Sequence, residues 1–325
     1  MQTQKSQHPH AGATHPHGQG LLDPGEHFRQ AMYDAGVGIS DTIIQDGQLH
    51  RYRVDGDKPG TWNGWYILHI DHPPSGQFGS WRAGISKRWC ALSRDRLTPA
   101  ERETIKRRID TNSHNRQEEI KRKQYAAQVM AEKIWNMACA ATDDHPYLMR
   151  KQVRSHGLRI VPAWTKRCRT EEGVWRDLII ENVLLVPMVD WLGTLHNLQG
   201  IFPGKVDALG RDKDFLSGGR KKGLFYPLGH IDVTGTLILA EGFATGATIH
   251  GATGFPVLVC FDCGNLKEVA IEARRQMPGI DLVIAADNDS GTPGNPGLTK
   301  ARESAVAARA RLAIPSFAQE QEVTA

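Results

Sequence analysis

The spacing of apolar residues divides the chain into unlike stretches. In its second half, short apolar runs alternate with segments of helical period, the signature of an α/β sheet. Strands are predicted at Thr236–Ala240, Val257–Phe261 and Asp281–Ala286. Helices are predicted at Ala244–His250, at Leu266–Met277 with Asn265 as its cap, and at Leu298–Leu312. A last strand is expected to begin at Ala313-Ile314-Pro315. Upstream, Arg176–Val189 supplies one or two strands, followed by a glycine- and lysine-rich segment, Gly204–Gly223. Thr98–Ala140 reads as a long polar helix or helical pair, started by Thr98-Pro99-Ala100-Glu101 as cap, proline at the first helical position and an acid in the first turn. Between Glu26 and Cys90 a short helix, Phe28–Ala35, precedes strand-like pieces such as Gly64–Ile70, punctuated by Asp-Gly and Gly-Asp turns. Met1 to about Pro24, rich in His, Gln, Gly and Pro without an apolar period, is expected to be a disordered tail, and nothing fixes a metal geometry for His8, His10, His15 and His17. There is no internal repeat.

Length and composition refine this picture. A chain of 325 residues, 40% hydrophobic, holds two domains or one with extensions. The net charge of +4 hides a local bias: Trp81–Lys133 has 14 Lys and Arg against 7 Asp and Glu. Such a stretch is either a phosphate-binding surface or a solvated helix. The five cysteines, Cys90, Cys139, Cys168, Cys260 and Cys263, form no disulfide framework in a chain this long. Cys260 and Cys263 make a lone Cys-x-x-Cys with no second pair to close a zinc ribbon, so no zinc is expected and Cys260 is read as a buried strand cysteine. No apolar run reaches membrane-spanning length and no signal peptide is recognised, so a soluble, cytoplasmic protein without a membrane partner is expected. The aromatic clusters Trp62-Asn63-Gly64-Trp65-Tyr66 and Phe78-Gly79-Ser80-Trp81-Arg82 are read as the core of the small amino-terminal domain, with base stacking as the alternative.

The chemistry lies at strand ends. Glu241 follows Leu237–Ala240 and precedes Gly242; Asp287 and Asp289 follow Val283–Ala286, with Gly291 soon after. Acids there sit at the carboxyl edge of a parallel sheet, where α/β sheets bind ligands. Clustered carboxylates repel unless a cation neutralises them, and hard oxygen ligands suit Mg2+ or Mn2+, which in turn bind phosphates. Glu241 is placed to act as general base toward a hydroxyl. Metal-assisted phosphoryl transfer is the expected reaction class. Arg211, Lys213, Arg220, Lys221 and Lys222, interleaved with glycines, are expected to hold a template backbone and a nucleoside triphosphate, with Lys300 as a further phosphate contact. The alternative for that segment is a flexible surface loop.

Leu237–Gly242 and Val283–Gly291 resemble the two motifs of the Toprim domain, which is shared by primases, topoisomerases, nucleases and repair proteins. The resemblance runs over Thr236–Pro315 and implies that Glu241 is the catalytic acid or base and that Asp287 and Asp289 hold Mg2+. Upstream, Glu181–Asp190 with Gly193 and Leu198-Gln199-Gly200, then Lys213–Phe225, are similar to the segment preceding that domain in bacterial-type primases. His145–Leu148, with Lys151 and His156–Arg159, resembles an element of phage- and plasmid-encoded primases. The organisation implied is a tail (1–24), a small α+β domain (25–95), a helical connector (96–140), an α+β primase-core segment (141–232), a Rossmann-like parallel-sheet Toprim domain (233–318) and a second tail (319–325). The function implied is primer synthesis on single-stranded DNA in phage, plasmid or mobile-element replication. Thr245 stands where replicative primases often carry another acid, and the family's zinc ribbon is missing. No Gly-x-x-x-x-Gly-Lys-Ser/Thr loop is present, so a helicase partner must come from another chain. A Toprim nuclease and a non-catalytic single-strand-binding protein are the rival readings.

Overall fold

The computed structural model describes residues 23–57, 61–169, 174–288, 292 and 294–315. It divides into two compact units, with the boundary between His114 and Asn115. The tail histidines and the carboxyl-terminal tail lie outside the described residues.

In the first unit, α1 (Pro24–Asp34) precedes an antiparallel meander of β1 (His50–Tyr52), β2 (Gly64–His69), β3 (Ser75–Ser80) and β4 (Ile85–Cys90). Asp23 and Pro24, expected in the tail, instead start α1: the Asp23 carboxylate accepts from the Gly25 amide, and Pro24 fits the first helical position, which needs no N–H donor. Phe28 and Met32, four apart on one helix face, are fully buried against the sheet. Phe28 meets Tyr66 and Phe78 edge-on at 6.0 and 5.4 Å. Gly76 is required where this helix lands, because a Cβ there would stand 2.4 Å from the Ile67 carbonyl oxygen and 2.8 Å from the Phe28 ring. Trp65, Tyr66 and Phe78 are therefore core, whereas Trp62 and Trp81 stay exposed.

α2 (Pro99–Met137) is one continuous helix that runs through the unit boundary. Its start is a reciprocal cap: the Thr98 hydroxyl accepts from the Glu101 amide, and the Glu101 carboxylate accepts from the Thr98 amide at 2.7 Å.

The second unit holds two five-stranded sheets. The first is antiparallel and consists of β5 (Cys139–Ala140), β6 (Arg159–Arg169), β7 (Trp175–Val189), β8 (Leu195–Val206) and β9 (Arg211–Phe215), in that order. α3 (Pro146–Lys151) lies between β5 and β6 in the chain. Arg176–Val189 thus falls within one long strand, and much of the glycine- and lysine-rich segment is strand as well. Alternation along β7 sends Leu184, Val186 and Met188 into one core and Val183 and Leu185 into another. The second sheet has the order β10-β12-β11-β13-β14. β11 (Thr236–Ala240), β12 (Val257–Val259), β13 (Asp281–Ala285) and β14 (Arg311–Ala313) are parallel, and β10 (Tyr226–Leu228) is an antiparallel edge. α4 (Phe243–Thr253) packs through Phe243 and Ala247 with Ile238, Ala240, Val257 and Val259. On the other face, α5 (Cys263–Gln276) and α6 (Pro296–Ala308) pack with Leu237, Leu239, Leu258 and Ile284. This is the Rossmann-like parallel sheet expected from the sequence, with β10 added as an antiparallel edge.

Two further boundary differences have a clear physical cause. The last helix ends at Ala308, not Leu312, because Arg309 adopts a left-handed conformation (φ 50°) and its amide closes the helix on Ala305 and Val306. Arg311 and Leu312 then pair with β13. The helix after β12 is capped by Asp262, whose carboxylate accepts from the Asn265 amide at 2.9 Å. Asn265 itself is buried and has another use, described below.

Candidate active site

The chain leaves β11 for β12 on one side and then crosses back to β13 on the other, so the strand order reverses around β11. In such sheets the crevice opens at the carboxyl ends of the strands where this reversal occurs. Parallel pairing sets Leu239 beside Ile284 and Ala240 beside Val259. Glu241 follows Ala240 directly, and Asp287 follows β13 by two residues, so both acids occupy the crevice edge. Asp262, absent from the sequence-derived set, follows β12 by three residues and adds a third carboxylate to the same edge. No pattern marked it, since a helix-capping aspartate has the same local sequence.

The neighbouring thiols register this concentration of negative charge. Burial first, then Asp262 and Glu241, push the Cys260 thiol well above its ordinary range. Burial, then Glu241 and Asp262, raise Cys263 as well. Cys260, directly after β12, is fully buried, and its amide donates to the Ala240 carbonyl at 2.8 Å. These shifts oppose thiolate formation, so the Cys-x-x-Cys has the character of packed thiols beside carboxylates.

Gly242 turns the chain into α4 from an extended backbone (φ −106°, ψ 155°) that any residue adopts. A Cβ there would meet nothing within 4 Å, so the space beside Gly242 is open. Thr245 lies in the first turn of α4. Beyond Asp287, the Asn295 side chain caps α6 through the Leu298 amide and donates to Asn288 at 2.8 Å, tying together the two ends of the loop. Asp289 and Gly291 fall between them and lie outside the described residues.

The basic residues separate into groups. Lys221 reaches the acidic edge: its Nζ stands 3.8 Å from Asp262 and 4.7 Å from the centre of the Phe215 ring. Lys300, in the first turns of α6, pairs with Glu303 at 2.8 Å, and that hydrogen bond raises its pKa; a smaller contribution from Cys263 places it near the same edge. Lys222 turns instead to Glu268 on α5, at 2.9 Å. Arg211 is engaged with Asp214 at 3.1 Å, and Lys166 holds the same carboxylate at 2.5 Å. Burial alone would raise the Asp214 pKa, but these two cations bring it below its ordinary value. Lys213, on β9, is exposed and forms no ion pair among the described residues.

What holds Lys221 in place is a pair of buried asparagines. Asn197 on β8, fully buried, donates to the Arg220 carbonyl at 2.9 Å. Asn265 accepts from the Gly223 amide at 2.7 Å and donates to the Leu224 and Cys260 carbonyls, both at 2.8 Å. Phe225 then pairs with Val189 through two backbone hydrogen bonds. The Arg220–Phe225 segment is thus fastened to β8, α5 and β7. His145, in the resemblance element upstream, is likewise structural: buried at the start of α3, it accepts from the Tyr147 amide and donates to the Asn182 carbonyl at 2.9 Å.

Residues 236–319 match the family model described as Toprim domain. The chain carries a Toprim domain. Two Escherichia coli proteins named DNA primase TraC are similar to nearly the whole chain. One is 30% identical over 310 residues, covering 91% of this chain and 27% of its own length. The other is 28% identical over 313 residues, covering 91% and 20%. The chain therefore spans about a quarter or less of the relatives it matches. Among solved structures, the RNA polymerase domain of Mycobacterium tuberculosis primase DnaG aligns at 14% identity over 60% of this chain and 75% of its own, with a TM-score of 0.41. A DnaG primase catalytic domain bound to single-stranded DNA aligns at 12% identity over 65% and 76%, with a TM-score of 0.40.

Among the described residues no group of three His, Cys, Asp or Glu side chains is placed to hold a metal ion. The described edge supplies the hard carboxylates of Glu241 and Asp287 on adjacent strands, beside open space at Gly242. Such a donor set fits a hard divalent cation that takes its remaining ligands from water and phosphate. Among the described residues no helix is long and apolar enough to cross a membrane.

Proposed function

We propose that this chain is a DNA primase, which joins nucleotides on a single-stranded DNA template by metal-dependent nucleotidyl transfer. The observation that carries this reading is the position of Glu241 and Asp287 just past the ends of the adjacent strands β11 and β13 of the Toprim sheet, with Lys221, on its fastened segment, 3.8 Å from Asp262 at the same edge. The similarity of 91% of the chain to proteins named DNA primase supports it.

In this mechanism Glu241 accepts the proton of the primer 3′-hydroxyl. The freed oxygen bonds to the α-phosphorus of the incoming nucleoside triphosphate, and the bond from that phosphorus to pyrophosphate breaks. Mg2+ or Mn2+, held by Asp287 and Asp289, supplies charge neutralisation for the triphosphate and the departing pyrophosphate. Lys221 draws the triphosphate to the edge, with Lys300 as a second cation. Arg211, Lys213, Arg220 and Lys222 border the template path. The protein works in the cytoplasm, in the replication of a mobile element, on strands opened by a helicase on another chain.

The test is incorporation of labelled nucleotides on a single-stranded template with Mg2+ or Mn2+, alongside Glu241→Gln. Short products from the parent, none from the variant, and retained DNA binding by both are expected. Activity surviving in Glu241→Gln would sink the assignment. Template degradation in place of synthesis would make the protein a nuclease, and inertness with retained binding a binding protein.

A further inference from the structure

The four-stranded sheet of the amino-terminal unit is covered by α1 on one face only. Its pairing sets Ile67, Gln77 and Arg88 in one cross-strand row and His69, Ser75 and Cys90 in the next. Strand alternation turns both rows away from Tyr66, Phe78 and Phe28. Facing them is the first part of α2, and between helix and sheet lies a cleft of about 780 Å³. That volume is within the range of about 300–1,000 Å³ that holds ligands.

The lining of this cleft is strongly one-signed. Arg88, Arg102, Lys106 and Arg108 contribute four cations, against the single acid Asp110. Arg102, Ile105, Lys106 and Ile109 repeat at the spacing of one helix stripe, so α2 offers cations and apolar footing from the same face. Arg108 is committed internally, donating to the Asp71 and Pro73 carbonyls. Arg88, Arg102 and Lys106 are exposed, and their side chains form no hydrogen bond or ion pair among the described residues. Like charges converging from a strand and a helix on one cavity repel each other, and an anion relieves that repulsion. A solvated charged face would point its cations outward along one helix, and would not gather them from two elements around a cleft.

A second observation indicates what kind of anion. Farther along the same sheet face, Trp81 is 42% exposed and packs beside Trp65 at 5.9 Å, with the Arg51 guanidinium 4.5 Å from its ring centre. Cations that track phosphates, together with an accessible indole, are the set that holds single strands. We propose that this face is a second nucleic-acid site: it binds single-stranded DNA, with backbone phosphates at Arg88, Arg102 and Lys106 and a base against Trp81. The choice of a strand rests on the primase reading; the phosphate chemistry does not. A free nucleoside triphosphate offers the same chemistry, and the test separates the two.

The experiment uses the full chain. Binding of a labelled oligodeoxythymidylate is followed by fluorescence anisotropy for the parent, Arg102→Ala/Lys106→Ala, Arg88→Gln, and the control Arg107→Ala, an exposed cation outside the cleft. Loss of two phosphate contacts is expected to weaken binding about ten-fold and to lower the slope of log affinity against log salt by about 1.4, or about 0.7 per contact on a single strand. Arg88→Gln should remove about half of that, and Arg107→Ala should match the parent. Unchanged affinity and slope in both cleft variants would overturn the proposal. So would a raised KM for nucleoside triphosphate with strand affinity intact, which would make the cleft a nucleotide site. A parent that binds through the cleft but never primes would end the primase reading and leave this one standing. A parent that primes, with cleft variants that bind normally, would do the reverse.

Discussion

The Toprim sheet and the amino-terminal sheet place their polar chemistry in opposite ways. The parallel strands β11, β12 and β13 are covered on both faces, by α4 on one side and by α5 and α6 on the other. Nothing polar fits on those faces, so the acids collect at the carboxyl edge, each directly after an apolar run. In the antiparallel amino-terminal sheet one face packs on α1, and the other, which borders a cleft against the first part of α2, carries Gln77 and Arg88 in alternation with core residues, with Trp81 just past β3. Sites of the first kind are compact in sequence; those of the second are spread over every other residue of several strands. A sheet buried on both faces offers polar positions at its strand ends, and one whose second face borders a cleft offers them across that face.

The largest effect is expected where the edge is broken. Asp287→Asn removes a charge from the switch point and should lower nucleotide incorporation by on the order of 10³-fold or more, while affinity for single-stranded DNA stays within about two-fold. Incorporation within ten-fold of the parent would mean that the edge is not the reacting site. The corresponding change on the packed face of the amino-terminal sheet, Phe28→Ala, should act on stability. Removing a fully buried ring costs about 3–5 kcal/mol, so thermal unfolding should show an early transition from that unit.

A smaller effect tests how the basic segment is held. Asn265→Leu preserves bulk but strands the Gly223 amide and two carbonyls, at about 1–3 kcal/mol for each group left unsatisfied. The KM for nucleoside triphosphate should rise about ten-fold as Lys221 loses its fixed position, with a smaller change in kcat. Lys221→Ala should reproduce the KM change without the stability loss, and Lys222→Ala, turned toward Glu268, should do neither. Equal KM values in all three would remove Lys221 from triphosphate binding.

The same contrast explains what could be read from the residues alone. Strand–Glu–Gly and strand–Asp are local patterns, so the position of Glu241 and Asp287 just past two apolar strands could be read from the residues alone. Asn265 could not, because its partners Gly223 and Leu224 are distant in sequence and an asparagine opening a helix reads as a cap. Lys221 and Lys222 are adjacent, and only the packing of their segment against α5 turns one to Asp262 and the other to Glu268. Arg309 misled for a physical reason: an alanine-rich run favours helix until a left-handed residue closes it. The cleft in the amino-terminal unit was legible only as a basic bias from Trp81 to Lys133, since its cations come from β4 and α2.

The finest test concerns His69, which lines that cleft. Its Nε2 accepts from the Asn112 side chain at 2.9 Å, which requires the neutral ring. Burial first, then the charge of Arg108, hold its pKa below the ordinary 6.5, against smaller opposing effects of Asp71 and Asp46. The unfolded chain therefore binds a proton more readily than the folded one. Stability from this group is complete above about pH 6.5 and falls as pH drops toward the depressed folded value. His69→Gln keeps an acceptor for Asn112 and should flatten part of the acid slope of the melting temperature. The remainder belongs in part to His156 in the second unit, whose pKa is also depressed, by burial and then by His250. Phosphates bound in the cleft would oppose Arg108 and raise the His69 pKa, so saturating oligonucleotide should shift the ring's NMR titration upward in the parent and less in Arg102→Ala/Lys106→Ala. A His69 titration indifferent to the strand would place the bound phosphates elsewhere, and the contrast between an edge site and a face site would then rest on the Toprim sheet alone.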